Sequence, residues 1–144
     1  MRMRKQMLVL RQSGVLPYRM TAGKVEVLLV TSTRRKRWIA PKGWIALGLS
    51  AAESAAKEAL EEAGVSGHVV TPAIETYVDR KWGYPCEMEL FLLRVETVLE
   101  DWSEAKKRKR QWLSLPEAAK CVKGKALKQL LIKLQAQPAL LDQP

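Results

Sequence analysis

Histidine is almost missing from this chain, and the absence is informative. The single copy, His68, follows Gly67 at what reads as a strand start, which argues against histidine-rich metal sites and against a Ser-His-Asp triad. Cysteine is nearly as scarce: Cys86 and Cys121 lie far apart with no Cys-x-x-Cys spacing, so two reduced thiols are expected rather than a disulfide framework or a zinc site. No apolar run approaches the ~20 residues that cross a bilayer. The first eleven residues begin like a signal peptide, yet the apolar stretch stops at Arg11 and no small-residue cleavage site follows, so a cytoplasmic protein without membrane contact is expected. Acidic residues are the last shortage. Fifteen Asp and Glu face 25 Lys and Arg, a net charge of +10 that attracts polyanions: nucleic acid, acidic lipid or phosphorylated metabolites.

What is present fits one domain of 144 residues, spanning residues 1–137 with a loose tail over 138–144. Apolar and β-branched runs over 13–18 and 25–31 flank Thr21-Ala22-Gly23-Lys24 and read as a hairpin. After the basic run Arg34-Arg35-Lys36-Arg37 comes a short strand, Trp38-Ile39-Ala40, then a turn at Pro41-Lys42-Gly43. Ser50, three residues before Glu53, forms a capping box that should open a helix, and Gly64 is placed to end it. Alanines 52, 56, 59 and 63 form a small face suited to close packing on a sheet. Strands are expected over 69–78 and 87–98, joined by a loop over 79–85, and again over 110–115. Pro116 opens a helix through Cys121, and residues 125–135 form an amphipathic helix whose leucine stripe should face the core.

On the first of these helices Glu58, Glu61 and Glu62 fall within an arc of about 100°. Taken alone, three glutamates fit an ordinary solvated helix better than a site. Their mutual repulsion would nevertheless be relieved by a hard divalent cation such as Mg²⁺, with Mn²⁺ as a substitute.

The fixed offsets around them reverse that weighting. The stretch from Gly43 to Val65 resembles the Nudix box, G-x5-E-x7-R-E-U-x-E-E-x-G-U: Gly43 opens it, Glu58 is the Glu of R-E-U, Glu61 and Glu62 form the E-E pair, and Gly64-Val65 close it. Leu49 stands in place of the first Glu and Lys57 in place of Arg. Further segments, Arg37-Trp38-Ile39-Ala40-Pro41-Lys42-Gly43, Glu100-Asp101-Trp102 and Arg108-Lys109-Arg110-Gln111-Trp112, are similar to the diphosphoinositol polyphosphate phosphohydrolases, a branch that also cleaves diadenosine polyphosphates.

The resemblance implies an α+β fold, a Nudix-type α/β/α sandwich with a mixed β-sheet. It implies Mg²⁺-dependent hydrolysis of a pyrophosphate bond in a highly phosphorylated small molecule, with metal on Glu58, Glu61, Glu62 and a backbone carbonyl at Lys42 or Gly43. A glutamate, Glu61 or Glu104, would take the proton of the attacking water. Arg34, Arg35, Arg37, Lys42, Arg80, Lys81 and Lys109 are the expected substrate-binding cations, which could converge on one cleft. The other readings are an RNA 5′-end pyrophosphohydrolase, a nucleic-acid-binding module using Trp82, Trp102 and Trp112, and a weakened domain that senses a phosphorylated ligand.

Overall fold

The computed structural model describes residues 9–142, so the basic start over residues 1–8 and residues 143–144 lie outside the description. The chain folds as β1 (Leu10–Thr21), β2 (Lys24–Thr31), β3 (Trp38–Ile39), β4 (Lys42–Trp44), α1 (Ala51–Glu58) continued by a π-helical turn (Ala59–Ala63), β5 (Val65–Lys81), β6 (Tyr84–Val98), β7 (Arg110–Ser114), α2 (Leu115–Cys121) and α3 (Lys125–Ala136), with a closing 3₁₀ turn (Pro138–Asp142).

The expected first hairpin forms, with Thr21 opposite Lys24 and Tyr18 opposite Val27. β1 then leaves β2 and takes two other neighbours. Its N-terminal half pairs antiparallel with β4, Gly14 facing Lys42 and Ser13 facing Gly43, and parallel with β6 from Leu10–Cys86 to Tyr18–Arg94. The sheet runs β3-β2-β1-β6-β5, with β7 added on β2, and one parallel pair among antiparallel ones makes it mixed.

Both faces of the sheet are covered. Alternation along β6 sends Phe91 and Leu93 to the α1 side, where Val15, Leu28 and Val30 meet Ala55, Ala59 and Ala63. Leu90 and Leu92 face the α2–α3 side and pack with Leu16, Leu29, Leu130 and Leu134. Because the α1 face is alanine, the helix backbone sits close against the strands that carry the site.

Four differences from the sequence reading matter. The buried alanine row runs through Ala55 rather than Ala56, so α1 is rotated slightly from the expected face. Lys42-Gly43 is part of a strand rather than a turn, because β1 offers it free ladder groups where β2 has diverged. The loop over 79–85 shrinks to a two-residue turn, Trp82-Gly83, both at positive φ, so Arg80 and Lys81 belong to β5 and Tyr84 to β6. The expected tail instead begins with a packed 3₁₀ turn: Leu141 is buried, and its carbonyl accepts a 2.8 Å hydrogen bond from the Tyr18 hydroxyl.

Candidate functional site

The helix that carries the glutamates is held at both ends. At its start Ser50 Oγ accepts from the Glu53 N–H (3.1 Å), and Glu53 Oε1 accepts from the Ser50 N–H (2.9 Å), which satisfies two otherwise free donors. Buried Ser54 Oγ accepts from the Ala46 N–H at 3.0 Å and pins the β4–α1 loop to the helix. Gly64 ends the helix in the left-handed conformation, φ 66°.

The end of the helix is unusual. From Ala59 the helix widens to a π turn, a form often found at functional sites. The orphan carbonyls that follow are taken up one by one by the segment between β6 and β7. The Glu104 N–H donates to the Glu61 carbonyl (3.0 Å) and the Leu99 N–H to that of Gly64 (2.8 Å). Trp102 Nε1 donates to the Glu62 carbonyl (2.9 Å) and Arg110 Nη1 to that of Ala63 (2.8 Å). The Arg110 guanidinium lies 3.9 Å over the Trp102 ring, and a Cβ at Gly64 would stand 2.8 Å from both residues. The glycine is thus required twice, for its φ and for this close approach.

Inside this frame Glu58 and Glu62 meet. A Cβ on Gly43 would lie 2.3 Å from Glu58 Oε1, so the absence of a side chain makes room for that carboxylate directly over β4. Glu62, 4% exposed, accepts from the Lys42 N–H at 3.3 Å and faces Arg108 Nη2 at 3.6 Å. Burial, then the hydrogen bond with Glu58, pushes its carboxyl up to about 8, while Arg108 pulls the other way. Glu58 is also raised, first by burial and further by the charges of Glu61 and Glu104. Two carboxyls in contact cannot both ionise cheaply, and a shared proton is the metal-free compromise.

Arg108 is the cation sequence reading missed. It is largely buried, ion-paired with Glu104 at 2.9 Å, and it donates to the Thr31 carbonyl at 3.0 Å. Its neighbour Lys109, the expected binding residue, is exposed and contributes only backbone bonds to Thr31. An arginine flanked by lysines in a basic run carries no local mark of burial, so only the pairing of β7 with β2 distinguishes the two.

Glu61 does not join the pair. Its carboxylate lies 3.0 Å from Lys57 Nζ on the outer side of the helix, and this contact raises the lysine's pKa. Among the described residues no group of three acidic, histidine or cysteine side chains stands ready-made for a metal. Glu58 and Glu62 nevertheless fit a hard divalent cation: they are oxygen donors, half-buried to buried, and carry charge that burial makes unfavourable. Ser13 adds a second sign. It faces Gly43 across the β1–β4 ladder, and its buried hydroxyl has no hydrogen-bond partner among the described residues. A bound water or ion beside the carboxylates would satisfy it.

On the opposite face of β4 a cavity of about 350 Å³ opens between the sheet and the start of α3. Trp38, Tyr77, Leu90 and Leu127 wall it, and Lys42 and Asp79 supply polar groups. Lys42 therefore joins the two sides, with its N–H on Glu62 and its side chain at the cavity. Arg34, Arg35 and Arg37 are exposed on a loop closed by paired bonds between Ser32 and Arg37, and among the described residues none of them is ion-paired with an acid. Arg80 donates to the Gly83 carbonyl in its own turn. Strand register puts these basic segments at the end of the sheet where β1 begins, but the β5–β6 tip extends beyond the loop before β3. They flank one end and are not gathered around a single point.

A NUDIX domain profile matches residues 7–133, most of the chain. The chain belongs to the Nudix family. Curated relatives include Nudix hydrolase 12, mitochondrial, of Arabidopsis thaliana, 34% identical over 74% of this chain and 63% of the relative. Mouse diphosphoinositol polyphosphate phosphohydrolase 3-alpha is 37% identical over 66% of this chain and 58% of the relative. The chain thus spans about three fifths of the length of the first curated relatives it matches. Among solved structures, C. elegans Ap4A hydrolase superposes with a TM-score of 0.73 at 26% identity, covering 90% of this chain and 98% of that one. The glutamate-bearing segment is hereafter the Nudix helix.

Proposed function

We propose that the protein is a Mg²⁺-dependent hydrolase that cleaves a pyrophosphate bond in a highly phosphorylated metabolite, a diphosphoinositol polyphosphate or a dinucleoside polyphosphate. The observation that carries the reading is the pair of Glu58, half-buried, and Glu62, buried, packed against Gly43 with Arg108 beside them. The names of the relatives and of the structural neighbour point the same way. A bound Mg²⁺ would supply charge neutralisation for the phosphoryl oxygens and polarise the attacking water.

The residues then divide the work. Glu58 and Glu62 hold the metal, with the backbone at Gly43 alongside. Glu61 is a half-exposed partner of Lys57, and such a solvated pair is weak enough to open and let the carboxylate turn inward. Arg108 orients Glu62 and keeps Glu104 close to the pair. We assign Glu104 as proton acceptor, because its charge already reaches Glu58 and its backbone is fixed to the Nudix helix. Lys42, next to Gly43, contacts a phosphate as a point charge, and Arg34, Arg35, Arg37, Arg80 and Lys81 provide outer phosphate contacts.

The setting we infer is a single domain in the cytoplasm; among the described residues no helix is long and apolar enough to cross a membrane. A phosphate-release screen with Mg²⁺ or Mn²⁺ over diphosphoinositol phosphates, dinucleoside polyphosphates, nucleoside triphosphates, nucleotide sugars and 5′-triphosphorylated RNA tests the proposal. Turnover of RNA alone would transfer the same chemistry to RNA 5′ ends, and metal-dependent binding with no turnover of any substrate would leave a sensor domain.

A further inference from the structure

The margins of the sheet are not equally guarded. β3, β4 and β7 are two, three and five residues long, whereas β5 runs for 17 residues with β6 on one side and no strand among the described residues on the other. An edge of that length offers a row of backbone donors and acceptors to another chain unless something blunts it. The first half of β5 is blunted: its pairing with β6 shifts register at Ser66/Gly67 and again between Val70 and Glu75, where Pro72 also removes a donor. Over residues 75–81 the strand keeps an unbroken register, with Glu75 opposite Leu90 and Lys81 opposite Tyr84, and contains neither proline nor glycine. Thr76, Val78, Asp79 and Arg80 are exposed there, Val78 to 66%.

The side chains of this stretch are complementary to themselves. A two-fold axis normal to the sheet pairs two copies of the edge antiparallel and keeps like faces together, so every allowed axis passes through a residue. With the axis on Val78, Glu75 of each copy opposes Lys81 of the other, Thr76 opposes Arg80, Tyr77 opposes Asp79, and Val78 opposes itself. No like charges meet. An axis on Tyr77 would set Glu75 against Asp79, one on Asp79 would set that carboxylate against itself, and one on Arg80 would set two guanidinium groups together. Like charges directly opposed destabilise a strand pair, so the charges that keep other strands off this edge select one register for its own copy. Neither partner of the outer ion pair is locked elsewhere: Glu75 meets Lys133 at 3.3 Å in a solvated contact, and Lys81 Nζ stands 5.7 Å and 5.9 Å from the ring centres of the exposed Trp44 and Trp82.

We propose that residues 75–81 are a homodimer interface, in which β5 of one copy pairs antiparallel with β5 of a second copy about Val78 and joins the two sheets into one. The paired stretch is about 23 Å long at ~3.3 Å per residue. Tyr77 and Asp79 also line the cavity, so the dimer sets two cavities on one face of the joint sheet, with Tyr77 of each copy next to Asp79 of the other.

Mass measured by sedimentation equilibrium across protein concentration is expected to rise to twice the 16.3 kDa of one chain. Val78→Lys sets two ammonium groups on the axis and should weaken association roughly 100-fold, with circular dichroism unchanged. Charge reversal gives a test independent of that variant: Glu75→Lys and Lys81→Glu should each be monomeric alone and form a mixed dimer when combined, because only the mixture restores opposite charges at both pairs. Register is read by oxidation in a Cys121→Ser background. Val78→Cys should form a disulfide-linked dimer, since directly opposed strand residues stand about 4.5–5.5 Å apart between Cα atoms, whereas Thr76→Cys should link to Arg80→Cys and not to itself. A monomer at every concentration, a dimer that Val78→Lys leaves intact, a mixture of the two charge variants that stays monomeric, or a Thr76→Cys chain that links to itself as readily as Val78→Cys overturns the proposal.

Discussion

The two sides of β4 are built on opposite terms. On the Nudix-helix side the orphan carbonyls from Glu61 to Gly64 each have a donor, and Glu62 is fixed by Lys42 and Arg108. On the other side lie an open cavity lined by Lys42 and Asp79, and two exposed indoles with Lys81 beside them. The contrast separates two tasks. Chemistry on a pyrophosphate needs charges fixed to within fractions of an ångström, and a dry, fully bonded frame achieves this. Recognition of a large anion needs long side chains that can adjust, and solvated cations retain that freedom.

The comparison is sharpened most by the carboxylates. Glu58→Gln and Glu62→Gln should each lower turnover by more than the ~10- to 100-fold typical of outer-shell partners, and each should abolish Mg²⁺-induced thermal stabilisation while leaving the fold intact by circular dichroism. Near-normal activity in both variants would refute the assignment. Next, Arg108→Ala should cost about 3 kcal/mol in denaturant unfolding at neutral pH, as expected for a broken buried ion pair, whereas Lys109→Ala should stay within about 0.5 kcal/mol. Equal effects would erase the distinction between the framed side and the solvated one.

A smaller effect is expected from Trp102→Phe, which keeps the ring but removes the donor to the Glu62 carbonyl. Stability should fall by about 1 kcal/mol and metal affinity by ~10-fold, with KM little changed; a KM effect alone would place Trp102 on the recognition side instead.

Proton linkage gives a gentler test. The unfolded chain ionises Glu62 near its ordinary 4.5, whereas the folded metal-free protein holds the proton up to about 8. Between these values the folded state binds more protons, so the melting temperature without metal should fall as pH rises from about 5 to about 8. Mg²⁺ should reverse the fall, and its affinity should rise over the same window. The smallest effect is that of Ser13→Ala, which removes an unpartnered buried hydroxyl and should stabilise the metal-free protein by about 1 kcal/mol while weakening Mg²⁺ binding. Loss of stability in that variant would mean the hydroxyl is already satisfied.

Much of this architecture was legible in local pattern. Ser50 and Glu53, Gly64, the turn at Ala22-Gly23 and the offsets from Gly43 to Val65 are short-range signals, and each appears where expected. What escaped depends on partners distant in sequence. Lys42-Gly43 looks like a turn until β1 is set beside it, and Arg108 looks like surface until β7 aligns with β2. Whether the Glu61 carboxylate turns toward Lys57 or toward Glu58 and Glu62 depends on a side-chain rotation that helical spacing does not fix, and in the structure it turns toward Lys57. Trp82-Gly83 lacks the asparagine or aspartate that usually marks a two-residue hairpin, so the strands around it were read as loop.

The parallel alignment of β1 with β6 has a kinetic side. Gly14 and Ser13 align Lys42 and Gly43, yet the strand that carries them is itself aligned by Leu10 against Cys86 and Tyr18 against Arg94. Contacts so distant along the chain carry their loop-closure entropy before they return any stability, and topologies rich in them fold slowly. The first hairpin can form early by itself, but the carboxylate site can be assembled only after β6 has docked. Substitutions along the β1–β6 seam are therefore expected to slow the appearance of activity during refolding more than the appearance of secondary structure.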